Sequence, residues 1–578
     1  MIKGIKSKLI FKLVFINLKK VKKLTLIKYN KYIQNILNIT LRNFTESKSL
    51  KQFNQKYNIF IKDTDIQKID LSLKKVNNEC LEELYQLEFT ELKELILYTN
   101  NITDIRPLKK LNSNKFEILI LSNNEILNIN ELKNIFLKNL NELSLSNINQ
   151  PNIIKTLTFC KFEKLKILNL ACNKIQDINQ LENLYLNELK ELNLSSNIIS
   201  DIDILKKVNF VKLEKLYLWN NEIININILD SVKFPELKEL KLNGNRISDI
   251  KVLKDVKFEK LEILTLGRKI SDIDILAFVE FNDLKKLILN YNKIQDINVL
   301  IKLKFKKLEL LDLQGNKLSD INILKNIDCK ELKYLYLNRN SISDLNGLTY
   351  SDYNLKHLGL SYNKISDISA LKKIKTDNLE ELNLRGNKIL NVISLRDVNF
   401  NKLKIMDLSN NQIDNLNTFQ NLQLKELIKL NLSNNNISDI KILQNANLLK
   451  LEILDLSWNK ISDISILENI DLKRLKELYL DNNKISDIKV ISKLKFEKLE
   501  IIFLNSNEIT NINILEKLDF KNLREIDLSY NKISDIKILE KVRFKNLKIL
   551  NLQNNDYMCE NIEIIEKIIK NNQLILIY

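Results

Sequence analysis

The sequence predicts an α/β solenoid, in which every coil contributes one short strand to a parallel sheet and one segment that returns the chain. The pattern LxxLxLxxNxIxxI occurs twenty times, first at Leu92 and last at Leu547, and sixteen of the nineteen spacings are 24 residues. Within each copy the LxL core alternates apolar and polar residues, as a strand does. Only 7 glycines and 3 prolines occur in 578 residues, which leaves no flexible linker between independent domains. A period of 24 residues accommodates one strand and one return segment, so a single repeat array is predicted.

The leucines and isoleucines of the pattern predict the core. They point inward and stack on the equivalent residues of adjacent coils, which buries apolar surface that one copy alone could not bury. In the return segments, the aspartate of the recurring SDI is expected to cap a helical turn, as at Asp201, Asp249, Asp439, Asp487 and Asp535. Capping is a simpler explanation for this column of carboxylates than metal binding or acid–base chemistry.

The asparagine of the pattern predicts a structural ladder. A turn after each strand places backbone N–H and C=O groups inside the stack, and an amide side chain can satisfy both kinds of group. Two copies lack it, one with Ile148 in its place and one, beginning at Leu261, that is a residue short and is either a local bend or neutral drift. The predicted ladder consists of Asn100, Asn124, Asn173, Asn197, Asn221, Asn245, Asn292, Asn316, Asn340, Asn363, Asn387, Asn411, Asn435, Asn459, Asn483, Asn507, Asn531 and Asn555.

At the residues LxxLxLxxNxI the chain resembles the leucine-rich repeat family over residues 66–578. Its NKISDI tails are similar to the repeats of internalins and of phosphatase-1 regulatory subunits, although each repeat here is two residues longer than the 22 that those families favour. The resemblance implies a horseshoe of about 20 repeats of 24 residues, with a concave parallel sheet and a helical or irregular convex side. It also implies a binding scaffold and, for the second group, a regulatory subunit of a phosphatase.

Four regions are predicted along the chain: a helical N-terminal region at 1–60, a degenerate first repeat or cap at 61–91, the solenoid at 92–555 and a C-terminal cap at 556–578. The runs LIFKLVFI and LIKYNK in the first region resemble an F-box. That resemblance implies a substrate adaptor of a cullin-type ubiquitin ligase, with Phe11, Leu13, Phe15 and Leu24 docking the ligase core. The alternative, a helical cap with a solvated basic face, remains open.

The charge distribution indicates which kinds of partner the chain can bind, and the cysteine content indicates its cellular compartment. Of the net charge of +18, residues 1–45 supply +11 (ten lysines and Arg42, with no acid), which leaves +7 for the rest. Five cysteines without a CxxC spacing indicate reduced thiols and a cytoplasmic protein, with secretion or a cell-surface address the less favoured alternative. No apolar stretch approaches the ~20 residues of a transmembrane helix, so no membrane span is predicted.

The sequence predicts no catalysis, cofactor, metal or small-molecule substrate. His357 is the only histidine, and no phosphate-binding glycine loop occurs. His357 is expected to lie on a strand beside Tyr334 and Glu381, with Ser361 nearby. A flat strand surface provides no oxyanion hole and no water-excluding pocket, so a solvated polar row is the simpler interpretation.

We call the positions two, four and six residues after the first leucine of each repeat the strand face, which is the expected concave side. It carries twelve acids (Glu94, Glu142, Glu191, Glu239, Asp312, Glu381, Asp407, Asp455, Glu477, Asp481, Glu525 and Asp527) and five bases (Lys215, Lys241, Lys286, Arg385 and Lys429). An acidic face repels nucleic acid and favours a protein partner with a basic patch. Its aromatic residues suggest interface anchors, although ordinary β-propensity would also place them there. The predicted partner-binding residues, including one just beyond a strand, are Tyr98, Tyr217, Trp219, Tyr334, Tyr336, His357, Glu381, Trp458, Tyr479, Asp481 and Phe503.

Overall fold

A computed structural model describes residues 50–61, 66–87, 89, 91–111, 115–518, 521–542, 546–556 and 575–578. The F-box-like runs and most of the predicted C-terminal cap lie outside these residues. The chain divides into two compact units, Met1–Asn245 and Arg246–Tyr578.

The first unit contains one parallel sheet in which each strand pairs with the strand of the next repeat. The register advances by one repeat, so that Leu192 of one strand lies beside Leu216 of the next. The strands are β1 (Lys68–Asp70), β2 (Glu94–Ile96), β3 (Ile118–Ile120), β4 (Glu142–Ser144), β5 (Ile167–Asn169), β6 (Glu191–Asn193), β7 (Lys215–Tyr217) and β8 (Glu239–Leu242).

The second unit repeats the arrangement, again with parallel pairing in chain order. Leu382, for example, lies between Leu358 and Met406. The strands are β9 (Ile263–Leu266), β10 (Lys286–Ile288), β11 (Leu310–Asp312), β12 (Tyr334–Tyr336), β13 (His357–Gly359), β14 (Glu381–Asn383), β15 (Ile405–Asp407), β16 (Lys429–Asn431), β17 (Ile453–Asp455), β18 (Glu477–Tyr479), β19 (Ile501–Phe503), β20 (Glu525–Asp527), β21 (Ile549–Asn551) and β22 (Ile575–Ile577).

The return segments contain short helices. Two are α-helices, at Asn78–Gln86 and Ile153–Leu157, and residues 50–57 are also helical. The others are single 3-10 turns: Arg106–Lys109, Ile129–Asn134, Asn179–Asn183, Asp203–Lys206, Asn227–Asp230, Lys251–Lys254, Asp274–Phe278, Asn298–Lys302, Asn322–Asn326, Asn346–Leu348, Ser369–Lys373, Ile393–Asp397, Asn417–Asn421, Lys441–Asn445, Ser465–Asn469, Lys489–Lys493, Asn513–Lys517 and Lys537–Glu540.

The core of each unit consists of the pattern's leucines and isoleucines. In the repeat that begins at Leu379, the side chains of Leu382, Leu384, Ile389 and Leu395 are fully buried. Many repeats add a buried phenylalanine three residues before the first leucine, as Phe400 does before Leu403. The predicted α/β solenoid of stacked strand-and-return coils is therefore confirmed within each unit.

The described ends of the array are coils of the same kind. At the start, β1 is followed by the helix Asn78–Gln86, whose N-cap Asn77 accepts a hydrogen bond from the Cys80 N–H at 3.0 Å. At the other end, β22 extends the sheet, and the Leu552 N–H donates to the Ile577 carbonyl at 2.7 Å. No helix among the described residues is long and apolar enough to cross a bilayer.

Candidate functional site

The strand face is supported from beneath by the asparagine ladder. Asn387 Nδ2 donates to the Leu384 carbonyl of its own coil at 2.9 Å and to the Leu360 carbonyl of the preceding coil at 3.0 Å, while its Oδ1 accepts from the Ile365 N–H at 3.0 Å. All eighteen predicted asparagines make these three kinds of hydrogen bond. The bonds join adjacent coils directly below the strand exits, so the backbone that carries the face is fixed there.

The short coil that begins at Leu261 still receives ladder bonds from the coil that follows it. Asn292 Oδ1 accepts from the N–H groups of Arg268 and Ile270 at 2.8 and 3.0 Å, and its Nδ2 donates to the Leu266 carbonyl at 3.1 Å. The missing residue has a backbone cost, because Arg268 adopts φ +133°, whereas the equivalent residues of the other coils have φ between +50° and +75°. A φ of +133° is one that glycine adopts far more readily than arginine. The other coil without its own asparagine is served similarly, since Asn173 Oδ1 accepts from the Ile148 N–H at 3.1 Å.

The SDI aspartates lie just before the 3-10 turns and accept hydrogen bonds from the first turn residue. Asp487 Oδ1 accepts from the Lys489 N–H at 2.8 Å, and this bond holds the pKa of the Asp487 carboxyl below its usual range. Asp201, Asp249, Asp439 and Asp535 each accept the equivalent bond. The N-cap residue itself is the isoleucine that follows each aspartate, and it makes no side-chain cap bond. The aspartates thus lie one residue before the predicted capping position and hold the start of the turn through a bond to the N–H two residues on.

A second column of carboxylates, on the strand face itself, also has backbone partners. Asp407 Oδ1 accepts from the Ser409 N–H at 2.9 Å and from its hydroxyl at 2.6 Å, which closes a turn at the strand exit. Asp455 and Asp527 make the same two bonds to Ser457 and Ser529. Sequence reasoning counted these acids as partner-facing charge and missed the turn, for which the recurring DLS was the available signal.

On the first unit's strand face, Tyr217 is fixed by two neighbours. Its hydroxyl donates to Glu239 Oε2 at 3.0 Å, and Lys241 Nζ lies 4.6 Å from its ring centroid. Burial raises the pKa of the Tyr217 hydroxyl, as do the charges of nearby glutamates. Trp219 is half-buried, whereas Tyr98 is exposed. These three predicted aromatic residues therefore present different amounts of surface.

On the second unit's strand face, three predicted residues form a row across β12, β13 and β14. The Tyr334 and His357 rings lie 5.0 Å apart, and His357 Nδ1 is 2.9 Å from Glu381 Oε2. Ser361 does not join them, because its hydroxyl donates to Asn338 Oδ1 at 2.9 Å. Tyr336 lies half-buried beside this row, and burial raises the pKa of its hydroxyl.

Further along the second unit, aromatic and acidic side chains alternate over β17 to β20. Tyr479 and Phe503 pack edge to face with ring centroids 5.2 Å apart, and the Tyr479 hydroxyl donates to Glu477 at 2.8 Å. Burial raises the pKa of the neighbouring Asp481 carboxyl. We call this set the acidic–aromatic segment: Trp458, Glu477, Tyr479, Asp481, Phe503, Glu525 and Tyr530.

Two members of that segment belong to a column that sequence reasoning only partly recognised. The residue directly after the strand face adopts positive φ in most repeats, and bulky rings occupy this position at Tyr291, Tyr362, Trp458 and Tyr530, with φ of 53° to 54°. Trp458 is 59% exposed and Tyr530 58%. All four rings are exposed at the edge of the face.

The strand faces present aromatic rings and charged groups on a sheet surface. Among the described residues, no group of three or more histidine, cysteine, aspartate or glutamate side chains could hold a metal ion. The polar groups on the face mostly bond to one another or to the backbone, and the exposed groups are rings and charges on a sheet surface. Such a surface suits contact with another macromolecule.

Comparison with known proteins gives consistent matches to one kind of repeat. Family models described as Leucine rich repeat match residues 330–389 and 473–533, and residues 163–178 and 447–466; one described as Leucine Rich repeats (2 copies) matches 211–255 and 521–567. No curated protein sequence matches significantly.

Solved structures give further matches. An internalin (InlF) from Listeria monocytogenes is 31% identical, covering 55% of this chain and 87% of that chain with a TM-score of 0.47. The Arabidopsis receptor kinase HAESA, in complex with the peptide hormone IDA and the co-receptor SERK1, is 20% identical and covers 88% and 94% with a TM-score of 0.51. The plant peptide hormone receptor RGFR1 in complex with RGF2 is 21% identical and covers 78% and 80% with a TM-score of 0.50. The two receptors share the fold.

Proposed function

Because the chain belongs to the leucine-rich repeat family, we propose that it is a non-catalytic scaffold that binds a protein partner on its strand face. The observation that carries the proposal is the acidic–aromatic segment of the second unit. Large exposed rings and carboxylates lie together there on a surface stiffened by the asparagine ladder, and aromatic side chains are frequent anchors at protein interfaces. In solved complexes of this fold, HAESA and RGFR1 hold peptide hormones.

The charge of this segment favours a partner with a basic patch. Glu477, Asp481 and Glu525 contribute carboxylates within three adjacent strands, and the described ion pairs join none of them to a lysine or arginine. Opposite charge on a partner increases the rate of association and rejects acidic competitors. Nucleic acid is disfavoured at this segment for the same reason.

The test compares capture of proteins from native cell extract by the immobilised full chain and by variants. We expect the double variant Trp458→Ala/Tyr530→Ala to weaken capture at least tenfold with an unchanged melting temperature, because both rings are exposed. Tyr350→Ala is the matched control, since Tyr350 is 76% exposed and also has positive φ but lies in a return segment. If every captured protein binds the double variant as well as the wild type, the proposed surface is wrong.

The same capture experiment tests the adaptor alternative through the identity of the captured proteins. Recovery of cullin-ligase subunits that bind through residues 1–60 would support a substrate adaptor with an F-box-like N-terminus. Recovery of a phosphatase catalytic subunit would instead support a regulatory subunit. A partner of neither class would leave the general scaffold.

We further propose a cytoplasmic location. Cys80 and Cys329 are free and buried, and burial raises their thiol pKa values to about 12 and about 11, which keeps them unreactive. Asn193 and Asn431, which stand in glycosylation sequons, are half-buried and buried on the strand face, where a glycan on the amide nitrogen would cover the sheet. Subcellular fractionation tests the location, and recovery of the glycosylated protein outside the cell would contradict it.

A further inference from the structure

Two arginines flank one exposed tyrosine on the second unit. The guanidinium carbon of Arg339 lies 4.6 Å from the Tyr362 ring centroid, and that of Arg385 lies 5.7 Å from it. The three residues come from consecutive coils at the exits of β12, β13 and β14. We call them the Arg–Tyr cluster.

The cluster is held in place by its backbone and by a glycine. The Arg339 N–H donates to the Ser361 carbonyl at 2.7 Å, and the Tyr362 N–H donates to the Arg385 carbonyl at 2.6 Å. The Tyr362 ring lies against Gly386, where a Cβ would come within 2.6 Å of a ring carbon. The ring therefore occupies a fixed place over the next coil.

The cluster's charge is not neutralised within the described residues. Nearby, Glu380 pairs with Lys356 of the preceding coil and Lys404 of the following coil, whereas no described ion pair includes either arginine of the cluster. The nearby Glu381 is bonded to His357, as described above. In addition, Arg385 Nε is buried without a hydrogen-bond partner among the described residues. A buried donor without a partner carries a desolvation cost, so a hydrogen bond to an acceptor of the ligand is favourable there.

The chemistry of the cluster suits a carboxylate. A guanidinium donates two parallel N–H bonds to the two oxygens of a carboxylate, and stacking on an aromatic ring orients its plane. A polyphosphate strand is less suitable, because Asp407 and Asp455 follow on the same face and repel a chain that is charged at every unit. A peptide can place one acid at the cluster and other side chains beyond it.

We propose that the Arg–Tyr cluster of Arg339, Tyr362 and Arg385 binds a carboxylate from an acidic stretch of the protein partner. This inference deepens the proposed function and rests on it. It assigns opposite charge preferences to two parts of the second unit's strand face and its edge: the Arg–Tyr cluster takes an acidic element, and the acidic–aromatic segment takes a basic one. The partner is thus expected to carry both kinds of charge.

The test uses fluorescein-labelled octaglutamate, octalysine and an eight-residue oligothymidylate as probes of the full chain, read by fluorescence anisotropy. We expect Arg339→Gln/Arg385→Gln to weaken octaglutamate binding at least tenfold. The control Arg396→Gln/Arg474→Gln removes the same charge from exposed positions off the strand face and is expected to change binding less than twofold. If the double variant unfolds, Arg339→Gln alone suffices, because its side chain is exposed, and it should weaken binding at least threefold.

Three results would overturn the inference: no binding of octaglutamate by the wild-type chain, octaglutamate binding that the cluster variants leave unchanged, or equal weakening by the control. The outcome is separable from that of the scaffold proposal. A captured partner whose binding ignores Arg339 and Arg385 would remove this inference and leave the scaffold. If the acidic–aromatic variants do not affect capture, the proposed partner-binding surface is wrong, whereas the octaglutamate measurement still tests the Arg–Tyr cluster.

Discussion

At the scale of single residues, each ladder asparagine serves three backbone groups in two coils. One side chain can bond all three groups because it is an amide: no other short side chain donates hydrogen bonds from one atom and accepts them at another. Serine could not span both coils, and aspartate would lose the two donors. The position therefore requires asparagine specifically, and another short polar residue would not replace it.

We predict that Asn387→Ala lowers the free energy of unfolding by about 3 kcal/mol, because it leaves buried backbone groups of two coils without partners. Chemical denaturation followed by circular dichroism measures the change. Asn326→Ala is the control, since Asn326 is exposed in a return segment, and it should stay within about 0.5 kcal/mol of the wild type. A loss below about 1 kcal/mol for Asn387→Ala would show that the ladder bonds contribute little.

Some residue roles could be predicted from the sequence and others could not. Leu382 and Asn387 could be assigned to core and ladder because repetition fixes their surroundings: the neighbours one repeat away are the same residue types. Arg339 and Tyr362 could not be paired in this way, because their contact depends on variable residues that happen to face each other across coils. The bond from Asp407 to Ser409 is local, and its repeated DLS was readable but was interpreted as surface charge.

At the scale of one element, the short coil beginning at Leu261 retains its strand and its core. β9 pairs in register with β10, and the Leu264 and Ile270 side chains are fully buried. The deletion is absorbed in the turn, where Arg268 takes a backbone conformation that favours glycine. The coil is therefore strained at one residue and intact elsewhere.

We predict that Arg268→Gly raises the free energy of unfolding by about 1 kcal/mol, because relief of the positive φ exceeds the entropy that glycine adds to the unfolded chain. Thermal and urea unfolding measure the change. Lys269→Gly is the adjacent control and should destabilise, since Lys269 does not have positive φ. Equal destabilisation by both substitutions would mean that Arg268 is unstrained.

At the scale of the whole molecule, stability is a sum over neighbouring coils. Strands pair only with the next repeat, and the ladder bonds reach one coil back, so a change in one coil is felt directly by its two neighbours. The ends are expected to be weaker than the middle for this reason. In the second unit, β22 has only β21 as a described partner, whereas β17 pairs on both sides.

We predict that Leu454→Ala and Leu576→Ala reduce hydrogen-exchange protection in different sets of strands, although both remove a buried leucine. Leu454 lies in β17 and is fully buried, so its truncation should cost about 2–5 kcal/mol and reduce hydrogen-exchange protection on both sides, in β16 and β18. Leu576 lies in β22 and should affect β21 while leaving β17 unchanged. Hydrogen exchange read by mass spectrometry resolves these segments. A uniform loss of protection from β9 to β22 in the Leu576→Ala variant would contradict additive coils and indicate that the second unit unfolds as one cooperative block.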